Sequence, residues 1–125
     1  VRFFGDVMGW QPGYRPAFPF PGSWLYEGEQ ALLHILPVAG DKPEARLAHL
    51  AFRSDEPAQA ILERLRHSGM AHQVRAHPDR PVAQIFVALP GGLVLELEAP
   101  LDGPLPEIRA YDANPKLMLG TYAKR

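Results

Sequence analysis

The sequence predicts an α+β fold of two β-α-β-β-β repeats forming a mixed sheet, the first repeat lacking its opening strand. Three observations predict it. The periodic segments run helix and three extended stretches, then strand, helix and three strands. Both helical stretches stop at a glycine followed by a large apolar residue, Gly9-Trp10 and Gly69-Met70. The last strand of each half sets one polar residue among aliphatics, His34 in the first and Glu96 in the second.

The opening helix is expected over 1–10, because Phe3, Phe4, Val7 and Met8 fall on one helical face, and Gln11-Pro12-Gly13 ends it. Three prolines make 14–22 extended and exclude it from a sheet centre, so it stands as the poor first strand of its set. Strands follow over 23–27 and 31–36, joined by the turn Glu27-Gly28-Glu29-Gln30. The loop around Gly40-Asp41-Lys42-Pro43 is the midpoint. A strand over 46–53 leads to a helix capped by Ser54 or Asp55, with Pro57 in its first turn. That helix buries Ala58, Ile61, Leu62 and Leu65 and ends near His67, before Gly69. The last strands span about 72–77, 82–88 and 93–98. The domain is therefore 1–100, with repeats at 1–37 and 45–100 and a tail at 101–125. In that tail Leu101-Asp102-Gly103-Pro104-Leu105-Pro106 reads as a linker and nothing periodic follows; Tyr111, Leu117, Met118, Leu119 and Tyr122 either pack on the domain or a partner or belong to a disordered terminus. By the repeat, the chain is expected to begin one strand late, the missing strand lost upstream or supplied by a partner chain.

Composition narrows the function classes. In 125 residues, 46% are apolar and 22% charged, which suits a globular domain with its own core. No apolar run approaches a membrane span, and no signal peptide is visible. Cysteine is absent, which removes thiolate ligands and a thiol nucleophile and fits a cytoplasmic protein. Net charge is −1, and the nearest basic grouping is Arg64, Arg66, Arg75 and Arg80, read as a solvated face. Nucleic acid and membrane are therefore not expected partners; a small molecule is. No nucleophile elbow or phosphate-cradling glycine loop is present.

The residues that carry chemistry are polar groups inside apolar strands, where an imidazole or carboxylate needs a partner. His34, His49 and Glu96 lie on three such strands and make a candidate metal site. Imidazoles with a carboxylate suit divalent Fe, Mn, Ni or Zn. Gln84 and Phe86 alternate on the strand beside Glu96 and are candidates to contact substrate. Trp24 offers aromatic area and Arg15 a cation for a substrate carboxylate. His67 complements a helix C-terminus, and His72 and His77 are expected to be exposed.

The stretch Phe3-Phe4-Gly5-Asp6-Val7-Met8-Gly9-Trp10 resembles the vicinal oxygen chelate superfamily, which holds glyoxalase I, bleomycin-resistance proteins and extradiol dioxygenases. So do Pro21-Gly22-Ser23-Trp24-Leu25-Tyr26, His49-Leu50-Ala51-Phe52, Gln84-Ile85-Phe86-Val87 and the run from Pro90-Gly91-Gly92 through Leu97. One departure is Leu89, where the superfamily usually has aspartate. The resemblance implies a cupped sheet around a divalent transition metal, and a homodimer. It places His49 as the first-strand ligand of the second repeat and Glu96 as the closing carboxylate, which is also the catalytic group. It makes His34 a ligand in glyoxalase-like members only. The function implied is a metal-dependent dioxygenase, lyase or isomerase acting on a small oxygenated organic substrate. The alternative is a metal-free protein that sequesters a small molecule, as bleomycin-resistance proteins do.

Overall fold

Seven strands and two helices form two separate sheets in the computed structural model, which describes residues 1–37 and 47–111. The chain divides into two units, Val1–Glu44 and Ala45–Arg125. The midpoint loop around Gly40-Asp41-Lys42-Pro43 lies outside the described residues, as do Leu117, Met118, Leu119 and Tyr122 of the tail.

The first unit runs α1 (Arg2–Asp6), β1 (Gln11–Pro12), β2 (Ser23–Glu27) and β3 (Gln30–Ile35). Its strands form an antiparallel meander in the order β1-β2-β3. The helix is shorter than its periodicity suggests, because no side chain caps it and it buries no residue. Gly9, at φ 73°, then turns the chain, and Trp10 lies flat against Phe4 at 5.5 Å. The first edge strand is Gln11–Pro12 and not the proline-rich stretch, which pairs with nothing as a strand. Phe18, Phe20, Trp24 and Leu25 are buried and form this unit's core.

The second unit has the complete order: β4 (Leu50–Arg53), α2 (Ala58–Ser68), β5 (His72–Ala76), β6 (Val82–Ala88) and β7 (Val94–Pro100). Its sheet order is β4-β7-β6-β5. β5, β6 and β7 form an antiparallel meander like that of the first unit, whereas β4 joins β7 in parallel. The sequence places β4 over 46–53, but its ladder begins only where Leu50 meets Leu95. Ser54 accepts the N–H of Glu56 and does not cap α2, which starts after Pro57. Gly69, left-handed at φ 68°, stops the helix as expected.

Burial follows the alternation of the strands. Ala58, Ile61 and Leu62 of α2 pack on Val74, Ala83, Ile85, Val87 and Ala99. Each large side chain in that layer contributes about 1.5–3 kcal/mol of apolar burial. Gln84 and Phe86 alternate with those β6 residues and so face away from the helix, and Phe86 pairs with Glu96 in the register. The two repeats match at this point. Trp24 pairs with His34 as Phe86 pairs with Glu96, the aromatic preceding the polar residue by ten positions in both.

Past β7 the chain stays on the second unit. Leu105 joins the helix-side core, and the Arg109 backbone bridges Val74 and Ala76 at the outer edge of β5. Of the basic grouping, Arg64 pairs with Glu56, Arg66 with Glu107 and Arg80 with Glu98. No helix among the described residues is long and apolar enough to cross a membrane.

Candidate functional site

The face of the second sheet that α2 leaves uncovered carries a polar chain inside apolar surroundings. Glu96 projects from the middle of β7 and its side chain is only 8% exposed. A buried carboxylate needs donors on both oxygens. It has them. Gln84 donates from Nε2 to Oε1 at 2.6 Å, and His49 Nε2 lies 2.8 Å from Oε2. Phe86 closes the side of this group, its ring edge-on to His49 at 5.5 Å.

His49 stands one residue before β4, its side chain 16% exposed. Because Oε2 of Glu96 can only accept, the contact requires Nε2 to carry the hydrogen. The other ring nitrogen, Nδ1, is buried and has no hydrogen-bond partner. Two residues along β7, Glu98 takes both guanidinium nitrogens of Arg80, at 2.9 and 2.8 Å, and lies 3.4 Å from Arg53 Nε. The face therefore grades from an imidazole–carboxylate pair to a carboxylate between two guanidiniums.

The structure thus brings together four residues singled out from the sequence: His49, Gln84, Phe86 and Glu96. The other three, Arg15, Trp24 and His34, belong to the first unit and gather there. His34 packs on Trp24 with ring centroids 4.5 Å apart, and the Arg15 guanidinium lies 5.5 Å from the same indole. Arg15 donates to the carbonyls of Phe18 and Phe20, which holds the proline-rich stretch in place. Trp24, 4% exposed, stacks on Phe18 within that core. Among the described residues, no group of three or more histidine, aspartate or glutamate side chains is gathered as a metal centre would need.

Two residues depart from the sequence reading. His77, expected to be exposed, is 6% exposed: its N–H bonds Val82, and its Nδ1 accepts the N–H of Asp79. The tight turn to β6 folds the ring inward, and burial followed by the charge of Arg80 lowers its pKa. Tyr111, which the sequence offers only as one of several apolar tail residues able to pack on the domain or a partner, lies in an aperiodic segment after two prolines. Its hydroxyl donates to Gln84 Oε1 at 2.8 Å and so joins the chain that ends at His49. Burial first, then the charge of Glu96, raises its pKa, so the phenol stays a donor.

No family model matches the chain, and no curated protein matches it in sequence. The similarities found are to solved structures. A lactoylglutathione lyase from Agrobacterium tumefaciens is 15% identical, with 78% of this chain and 80% of that one covered and a TM-score of 0.38. A glyoxalase/bleomycin resistance protein/dioxygenase from Nocardioides is 21% identical, with 85% and 77% covered and a TM-score of 0.36. An integron cassette protein from the mobile metagenome of V. cholerae is 15% identical, with 78% and 81% covered and a TM-score of 0.34. With TM-scores below 0.5, the neighbours assign no role to any residue.

Proposed function

We propose that the chain is a metal-dependent enzyme of glyoxalase or dioxygenase type, acting on a small oxygenated organic substrate. The observation that carries this reading is the contact of His49 Nε2 with Glu96 Oε2 at 2.8 Å on a face shielded from water. Donor atoms at that separation suit neighbouring ligands of a first-row divalent ion with bonds of about 2.1 Å. His49 and Glu96 would hold the ion; His34, the other ligand candidate, belongs to the first unit. When bound, Fe, Mn, Ni or Zn would supply a Lewis acid for substrate oxygens.

The remaining chemistry belongs to the side chains. Gln84 holds Oε1 of Glu96, so a proton taken from substrate would go to Oε2 in place of its contact with His49. Phe86 beside His49 excludes water and offers a ring face to the substrate. A homodimer in the cytoplasm belongs to the same proposal, the first from the resemblance and the second from the cysteine-free composition.

A second reading, a metal-free protein that sequesters a small molecule, draws on the same contacts. Both Glu96 oxygens already have protein partners, so the pair is satisfied without an ion. Elemental analysis of the purified chain, with His49→Ala and Glu96→Ala alongside, separates the two. The enzyme reading expects one transition-metal ion per chain, lost in both variants. A folded wild-type chain that takes up no ion overturns it in favour of sequestration.

A further inference from the structure

We infer that Tyr111 is a positioning residue of the His49–Glu96 site, acting through Gln84. The segment after β7 delivers it there. Leu105 is anchored in the helix-side core, Glu107 pairs with Arg66 of α2, and Arg109 exchanges hydrogen bonds with Val74 and Ala76 on the outer edge of β5. The chain thereby passes from one face of the sheet round its edge, and Tyr111 reaches Gln84 on the other face.

The hydrogen-bond inventory fixes the direction of the chain. Glu96 offers only acceptors, so it selects the NH2 end of the Gln84 amide. That leaves Gln84 Oε1 buried and in need of a donor, which the phenol supplies at 2.8 Å. With both ends held, the amide cannot rotate, Oε1 of Glu96 stays occupied, and Oε2 alone faces His49. Three side chains from β6, β7 and the post-β7 segment thus decide which carboxylate oxygen does the chemistry. Without the phenol, Gln84 would keep its contact with Glu96 only at the cost of an orphaned buried carbonyl.

This inference rests on the reading of Glu96 as the acceptor of the site, and the test keeps the two separate. In wild type, the Gln84 side-chain NH2 should give two distinct NMR resonances protected from solvent exchange. Tyr111→Phe keeps the ring and removes only the hydroxyl; it should speed that exchange at least tenfold. Calorimetric titration with Ni2+ alone should show a fall in affinity of about 10–100-fold, the range for outer partners of a ligand. Gln84→Ala should lose as much, and the double variant no more than Gln84→Ala alone, because the tyrosine acts only through the glutamine. Unchanged Gln84 exchange in Tyr111→Phe, or losses that add in the double variant, overturns the inference. If wild type binds no Ni2+, the metal reading fails, and the Gln84 exchange rates still decide the role of Tyr111.

Discussion

Glu96 concentrates the buried polarity of the second unit, since His49 and Gln84 both depend on it. Glu96→Ala would strand an imidazole N–H and an amide NH2 on a shielded face, each costing about 1–3 kcal/mol. Urea unfolding of Glu96→Ala should therefore show a loss of at least ~2 kcal/mol with an unchanged denaturant slope. His77 predicts a pH effect. Its pKa is lowered in the fold, so the unfolded chain binds the proton more tightly, and stability falls as pH drops below about 6.5 toward the folded value. Protonation would also end the acceptance of the Asp79 N–H by Nδ1. Melting temperatures from pH 7.5 to 5 should decline less steeply in His77→Gln than in wild type. At this scale, the sequence reveals His49, Gln84, Phe86 and Glu96 because a polar or bulky group interrupts a strand pattern. Tyr111 interrupts no pattern, since its partner is set by where the chain turns after Pro106, which no local periodicity records. The burial of His77 is hidden for the same reason: a turn and not an alternation directs it.

Among the elements, the best-anticipated are those that bury a face. β2 and β6 have their expected bounds, and α2 buries Ala58, Ile61 and Leu62 of its four expected core residues, with Leu65 half-buried, and has its glycine stop. The strong face of α2 and the run of β6 determine themselves through burial that any register slip would lose. α1 and β4 do not, since α1 buries nothing and the β4 residues are exposed. Where burial is weak, hydrogen-bond partners set the limits, and those come from distant segments. The glycine stop gives a prediction of its own. Gly69 sits at φ 68°, and a Cβ there would meet nothing within 4 Å, so any cost of a side chain is purely conformational. Gly69→Ala should lose about 1–2 kcal/mol in urea unfolding, with Gly69→Asn losing less, because asparagine tolerates the left-handed region.

In the whole molecule, the duplication is visible as two antiparallel meanders with an aromatic–polar cross-strand pair in each, Trp24–His34 and Phe86–Glu96. Sequence alone suffices for that correspondence because both pairs lie on strands with clear alternation. It does not tell the pairs apart. His34 is exposed with an indole against it, whereas Glu96 is buried and has an imidazole and an amide. The difference arises from β4 and the post-β7 segment, elements that only the second unit shows among the described residues.

The parallel pairing of β4 with β7 also sets an order of events. The β5–β6–β7 meander can form by closing short turns, but Leu50 meets Leu95 only after the helix and all three hairpin strands have been spanned. Closing a longer loop costs more entropy before any contact returns it, so this pairing should come late in folding. The His49–Glu96 contact would then be absent from the transition state. His49→Ala should accelerate unfolding while leaving the refolding rate nearly unchanged in stopped-flow chevrons, and an equal slowing of refolding would contradict it. On that view the site is the last thing this unit makes and the first it gives up.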